Sequence, residues 1–272
     1  MKIDLVIIST STVEEELKKQ LFNFTLISIN KNLNWINNIY LVVEDNWVNN
    51  LELENSNIKV VKHSEIVPVP QLLKKVSQHN IELFVANIKN LSEHYITIKD
   101  TTFILQPLPP ESFFKEDKLV FSTVPILTKE NLPRTKLIVE SYKFIAKTNQ
   151  ISAFIYRPTF GITPWIKSKI KHFLSLYGAK FLWEINQYSW ESFYFYTSLN
   201  DDIIISRDFQ EGLFEYQSYV AGIFKFDLLN NKKRKVITLS NDLTYAPNSK
   251  IKLHPTAKQW IIEGLTYRLK NE

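Results

Sequence analysis

The sequence predicts an α/β protein: a mostly parallel sheet flanked by helices, organised as a single domain over 1–272. Three observations predict it. Short β-branched or aromatic runs recur at 3–8, 39–43, 58–61 and 95–98, each the length of one buried strand. Helical patterns stand between the first and second runs and between the third and fourth, the alternation that builds parallel sheets. The fourth run stops at a lone acid, Asp100, and open α/β sheets bind ligands beyond the carboxyl ends of their strands.

Taken in order, residues 3–8 are nearly all apolar, as a strand buried on both faces must be. Ser9-Thr10-Ser11-Thr12 follows; Thr12 with Glu15, or Ser11 with Glu14, spells a capping box. Leu17, Leu21 and Phe24 continue one helix face. A strand followed by a polar, helix-capping turn often opens a nucleotide-binding unit, and capping alone also explains these residues. The strand at 58–61 ends near His63, which reads as structural, with a ligand or base as the functional alternative. Pro68 and Pro70 mark a loop. A helix carrying Ile81, Leu83, Phe84, Val85 and Ile88 then leads through Leu91 to the strand at 95–98. Asp100 beyond it is either a turn residue before Thr101-Thr102 or an acid placed for chemistry.

Beyond Phe114 the pattern predicts a strand at 119–126, weaker ones at 137–139 and 152–156, and an insertion or hairpin over 129–150. Thr163-Pro164-Trp165 predicts a helix start, with Thr as N-cap and Pro at the first helical position. Its apolar face is Ile166, Ile170, Phe173, Leu174 and Tyr177, and Gly178 is its expected stop. The aromatic crowd at 183–196 reads as core, or as a surface for stacking sugar rings. A strand at 236–240 ends in Asn241-Asp242, and a last helix at 256–269 turns Ala257, Trp260, Ile261 and Leu265 inward. Lys232-Lys233-Arg234-Lys235 is a solvated turn or a contact for anionic lipid.

Composition removes several classes of function. With no cysteine, disulfides, thiolate nucleophiles and Cys-ligated zinc are excluded, and a cytoplasmic location is expected. A net charge of +5 with interspersed signs argues against nucleic-acid binding and suits polyanionic ligands such as nucleotide diphosphates. Five glycines leave no glycine-rich phosphate loop. Asp4 interrupts any signal-peptide core, and no apolar run reaches the roughly 18 residues of a membrane span.

Several segments, in order and in register over about 110 residues, resemble the Stealth family of sugar-phosphate transferases. Ile3-Asp4-Leu5-Val6 is similar to that family's first conserved region. Trp35-Ile36-Asn37-Asn38-Ile39-Tyr40-Leu41-Val42 and Val61-Lys62-His63-Ser64-Glu65-Ile66-Val67-Pro68 resemble the segments that follow it. Ile81-Glu82-Leu83, Leu91-Ser92-Glu93-His94-Tyr95 and Pro107-Leu108-Pro109-Pro110-Glu111-Ser112-Phe113-Phe114 are similar to its second region. Residues 160–168 look like its third region, and 236–242 like its fourth, which carries asparagine-aspartate after a strand. Departures accompany the likeness. Ile8-Ser9-Thr10-Ser11 replaces the family's tryptophan-valine-aspartate-glycine turn, Ser77-Gln78-His79 its asparagine-serine-asparagine, and Phe160 its histidine. Lys99-Asp100-Thr101 stands for asparagine-aspartate-aspartate, so one carboxylate remains where the family has two.

The resemblance implies a GT-A-like core and a hexose-1-phosphate transferase that uses a nucleotide sugar and a glycan acceptor in bacterial surface or capsular polysaccharide synthesis. It implies Asp100 and Asp242 as catalytic residues meeting at one cleft, and as ligands if a divalent cation, Mg or Mn, is used. Lys99, Thr101, Lys167, Asn241 and His79 are the expected donor-binding residues. No nucleic-acid partner is expected; peripheral association with the inner membrane or with a polysaccharide assembly complex is. Two alternatives stay open: attack at the sugar's anomeric carbon, as in an ordinary glycosyltransferase, and a binding protein without turnover.

Overall fold

The computed structural model describes residues 1–9, 15–46, 57–73, 81–125, 137–143, 156–158, 161–184, 192, 194–195, 203–206, 214–218, 229, 231–240 and 255–270. Its strands are β1 (Ile3–Ile8), β2 (Ile39–Val43), β3 (Ile58–Lys62), β4 (His94–Lys99), β5 (Thr102–Ile104), β6 (Phe114–Lys115), β7 (Lys118–Pro125), β8 (Tyr156–Pro158), β9 (Ile162–Ile166), β10 (Ile203–Ser206), β11 (Phe214–Ser218) and β12 (Val236–Ser240). The helices are α1 (Glu15–Asn32), the short α2 (His63–Ile66) and α3 (Pro70–Leu73), α4 (Lys167–Glu184) and α5 (Pro255–Lys270).

The main sheet has the order β3-β2-β1-β4-β9. Its first four strands are parallel, with Ile8 opposite both Val42 of β2 and Lys99 of β4. Only β9, at the edge, runs antiparallel. The mostly parallel sheet expected from the sequence is therefore borne out. A small sheet of β11, β12 and β5 stands beside it, with Thr238 opposite Thr102. A third sheet holds β10, β7 and β6, and β8 pairs with β7.

Helix α1 joins two apolar cores. Its Phe22 and Ile29, and Leu33 just past its end, belong to the core around the main sheet. Leu17, Leu21 and Phe24, the face read from the sequence, pack instead with Phe103, Ile237 and Leu239 of the small sheet and Ile261, Leu265 and Leu269 of α5. Apolar residues on two sides of one helix thus tie the small sheet to the large one. No helix among the described residues is long and apolar enough to cross a membrane.

At the amino-terminal edge of the main sheet the fully buried Asp4 gathers two crossings. Its Oδ1 accepts from Asn37 Nδ2 at 2.9 Å, from the Asn38 N–H at 3.1 Å and from Asn38 Nδ2 at 3.0 Å. Its Oδ2 accepts from the Ser92 N–H at 2.6 Å. The turns entering β2 and β4 are thereby pinned to β1 by one carboxylate.

Four local expectations are corrected. Residues 162–166 form strand β9 rather than a helix start, and the helix begins at Lys167. All five strand residues are buried, and the Trp165 indole N–H donates to Thr97 Oγ1 at 2.8 Å, so burial against β4 outweighs the capping signal. Pro164, which cannot donate, is tolerated because β9 is an edge strand. Gly178 does not end the helix, which runs to Glu184. Residues 137–143 are helical rather than extended, with Ser141 Oγ donating to the Leu137 carbonyl at 2.8 Å. The helix ahead of β4 is a 3-10 helix, Ile81–Asn87, whose three-residue turn lets Ile81, Phe84, Leu83 and Val85 all bury in a short span. Residues 152–155, the rest of 129–150 and the capping box at 11–15 lie outside the described side chains.

Candidate functional site

The carboxyl ends of the parallel strands define one edge. There Ser9 follows β1, Glu44 and Asp45 follow β2, His63 follows β3 and Asp100 follows β4. Asp100 is only 2 % exposed and is held on three sides. Its N–H donates to the Ile8 carbonyl at 3.2 Å, its carbonyl accepts from Thr25 Oγ1 of α1 at 3.0 Å, and Ser9 Oγ donates to its Oδ2 at 3.1 Å. The bonds come from β1 and α1, so the turn after β4 is fixed by the first βα unit of the fold. Lys99 and Thr101 on either side are buried as well.

Thr101 is bound into the small sheet. Its hydroxyl donates to the Leu239 carbonyl at 2.8 Å, and its carbonyl accepts the Leu239 N–H at 3.0 Å. The Thr102 hydroxyl donates to the Gly161 carbonyl at 3.1 Å and accepts from the Lys99 N–H at 3.3 Å. A hydroxyl has one proton, so across the 3.0 Å Thr102–Thr238 contact Thr238 is the donor. The antiparallel register ends with Thr238 opposite Thr102, and the Thr101–Leu239 bonds bring the end of β12 to the residue after Asp100. The chain continues from there into Asn241 and Asp242, which, with His79, lie outside the described residues.

Gly161 closes this node. Its φ is +125°, and a Cβ there would stand 2.2 Å from Thr238 Oγ1 and 2.7 Å from its Cβ. Gly161→Ala is expected to destabilise the fold by about 2–3 kcal/mol, from overpacking and a left-handed backbone together. Urea unfolding measures it. The double variant with Thr238→Gly, which removes Oγ1 and Cβ together, should recover part of that loss relative to Thr238→Gly alone if the contact is the cause.

Lys167 is not brought to Asp100, which corrects the sequence expectation. Its N–H donates to the Glu93 carbonyl at 2.8 Å, at the start of β4. Seven residues of extended chain separate that point from Asp100, roughly 20 Å. Its ammonium donates to the carbonyls of Ile88 and Leu91, at 3.3 and 3.1 Å. Burial, with Lys171 nearby, holds it below the usual lysine range. It closes the 3-10 helix onto α4, because the strand that precedes it runs opposite to β4. The aromatic crowd resolves as core where it is described: Tyr194 packs tilted against Trp165 at 5.1 Å, and Phe195 meets Phe121 edge-on at 5.4 Å.

His63 is buried, and its Nε2 has no hydrogen-bond partner. Burial lowers its basicity against the pull of Glu44 and Asp45, and His94 is lowered by burial too. Both folded imidazoles therefore resist protonation more than unfolded ones do. Their contribution to stability is full above pH 6.5 and is lost as pH falls through the folded values below it. Asp45 and Glu93, also lowered, titrate in a more acidic range. The urea midpoint is expected to fall between about pH 7.5 and 5.5, and His63→Gln should shrink that fall; an unchanged difference would remove His63 from the account.

At the Lys99–Thr101 turn a divalent cation would find Asp100, while Glu44 and Asp45 stand two strands away after β2. Among the described residues no group of three His, Cys, Asp or Glu is placed to hold a metal. These residues alone do not fit a cation. Thr25 was not read from the sequence, and Ser9, Gly161 and Thr238 were read only as parts of longer segments, without the roles found here. The signals that could have found them are the small polar residues Thr25 and Ser28, set three apart within an apolar helix, and a rare glycine next to a strand.

Residues 16–122 match the family model of Stealth protein CR2, conserved region 2. Over these residues the chain resembles that conserved region. The matched region begins in α1 and ends in β7, so it contains Asp100 and Thr25, while Ile8 and Ser9, which also bond Asp100, precede it. The capsular polysaccharide phosphotransferase fcs1 of Haemophilus influenzae is 35% identical over 122 residues, 43% of this chain and 32% of that protein. The exopolysaccharide phosphotransferase cps2G of Lactiplantibacillus plantarum is 33% identical over 99 residues, 36% of this chain and 29% of its own. The capsular polysaccharide phosphotransferase LcbA of Neisseria meningitidis is 36% identical over 94 residues, 34% and 25%. The chain spans about a third or less of the length of these relatives. The solved galactosyltransferase LgtC, in complex with donor and acceptor sugar analogs, is similar in fold, with a TM-score of 0.53 at 11% identity over 100% of this chain and 96% of that one. Around its Stealth region, the chain thus has a GT-A-type glycosyltransferase fold.

Proposed function

We propose that the chain is a transferase that moves a sugar phosphate from a nucleotide-activated sugar to a glycan acceptor in bacterial surface or capsular polysaccharide synthesis. The observation that carries the reading is Asp100: it lies inside the Stealth region and at the carboxyl end of β4 in a GT-A-type sheet. In this reading Asp100 and Asp242 orient the donor diphosphate, Lys99 neutralises phosphate charge, and Thr101, Asn241 and His79 line the donor. The acceptor hydroxyl attacks the phosphorus that carries the sugar. A new phosphorus–oxygen bond forms, the bond to nucleoside monophosphate breaks, and the hydroxyl proton passes to a base or solvent. Positioning and charge stabilisation are most of what such a transfer asks of a protein. A cytoplasmic location with peripheral association at the inner membrane or in an assembly complex completes the reading.

Phe160, standing where the family has a histidine, favours a second reading, attack at the anomeric carbon, because phenylalanine offers no acid or base. The test is incubation with a panel of nucleotide sugars and a surface-glycan acceptor, with and without Mg or Mn, followed by mass spectrometry. Nucleoside monophosphate together with a phosphosugar product supports the first reading. Nucleoside diphosphate with a phosphate-free product supports the second. Donor binding without product makes the chain a binding protein and overturns both.

A further inference from the structure

Lysines collect at the end of the molecule where α1, α5 and the turn before β12 meet. Lys31 Nζ donates to the Leu269 carbonyl at 3.1 Å, which sets the last turns of α1 and α5 side by side. Arg268 Nη1 donates to the Asn231 carbonyl at 3.1 Å and ties α5 to the turn at 231–235. The Leu105 N–H donates to the Lys235 carbonyl at 2.7 Å, and the Gln106 side chain donates to the Lys232 carbonyl, which joins that turn to β5. These bonds bring together the segments that carry Lys31, Lys232, Lys233, Lys235 and Lys270, and all but Lys235 are exposed.

Helix dipoles account for Lys31 and Lys270, which sit in the last turns of α1 and α5. They do not account for Lys232 and Lys233, which stand in a turn. Among the described residues no carboxylate pairs with either. Two exposed side chains complete the face: Tyr267, 43% exposed and three residues before Lys270, and Ile27, 38% exposed and one turn before Lys31. Exposed lysines with no described carboxylate against them, beside an amphipathic ring and an aliphatic side chain, match the headgroup region of an anionic bilayer, where lysine meets phosphate and tyrosine sits at the boundary. A nucleic-acid surface has no use for the exposed isoleucine.

The geometry points to this end face as the docking surface for an anionic lipid bilayer. Asp100 contacts Thr25, six residues from Lys31 along α1, or roughly 9 Å of helix rise. Along β12 it lies about five residues beyond Lys235, roughly 16 Å. Docking on the lysines therefore holds the candidate site some 10–20 Å from the lipid surface. The inference does not rest on the transfer reading, because binding is read without turnover.

The test is co-sedimentation of the full chain with vesicles of about one-third phosphatidylglycerol in phosphatidylcholine, against phosphatidylcholine alone, at low and high salt. Binding to the anionic vesicles only, weakened by salt, is expected. Lys232→Glu/Lys233→Glu should weaken it about tenfold or more. Lys62→Glu/Lys171→Glu, the same charge change elsewhere on the surface, should change it less than about twofold. Tyr267→Ser, an independent substitution on the face, should also weaken it. Absent binding to anionic vesicles, or equal loss in the two charge-reversal variants, overturns the assignment. So does tighter binding to a DNA duplex than to the vesicles at the same salt.

Discussion

Exchange of Asp100 for asparagine is expected to lower transfer by about two to three orders of magnitude while the protein stays folded. Asparagine keeps the shape of the side chain and an oxygen to accept from Ser9, and the Thr25 and Ile8 bonds are to the backbone, so the turn survives. What it loses is the charge that orients the donor diphosphate. A preorganised electrostatic group of this kind is typically worth about 3–4 kcal/mol in the transition state. The measurement is the initial rate of product release with the donor found by the nucleotide-sugar panel, beside a thermal unfolding curve. A folded variant within about threefold of the parent would remove Asp100 from the site.

At the opposite edge of the sheet, Asp4→Ala is expected to be the most damaging single change to stability. Four hydrogen bonds converge on this buried carboxylate, and alanine leaves their donors around a void. Stranding donors around a lost buried charge costs about 3–5 kcal/mol, a fall in melting temperature of roughly 10 °C for a chain of this size. Asp4→Asn keeps an acceptor for the Asn37 and Asn38 bonds and should lose about half as much. Guanidinium or thermal unfolding of the two variants decides it. If both stay within about 1 kcal/mol of the parent, Asp4 is not the clamp described.

The parallel core was legible because its strands are short apolar runs and its helices carry a period of 3.6; local pattern and final burial agree at Ile3–Ile8, Ile39–Val43 and Pro255–Lys270. Legibility failed where burial overrode a local signal. Thr163-Pro164 has the letters of a helix start, yet Trp165 beside it fills the space against Thr97 and takes the segment into a strand. Lys167 was misplaced for the same reason. Once 162–166 runs antiparallel to β4, the next residue must emerge at the far edge from Asp100. Asp100 itself was found because a strand's end is readable in one dimension. Its braces were not, because Ser9, Thr25 and Leu239 approach from distant parts of the chain.

The threonine node has a consequence for how this molecule is made. Thr102 reaches its partners Gly161 and Thr238 across 59 and 136 residues of chain. The Stealth region at 16–122 supplies the acid and includes neither β9 nor β12. As the chain leaves the ribosome, β4 is an open sheet edge until residue 166 has emerged, and the Thr101 turn lacks its cross-bonds until residue 239. Closing such long loops comes late and slowly in folding. The segment that carries the family likeness is therefore not a self-sufficient module: Ile8, Ser9 and Thr25 can hold its acid early, but the threonines beside that acid gain their cross-bonds only when nearly the whole chain has been synthesised.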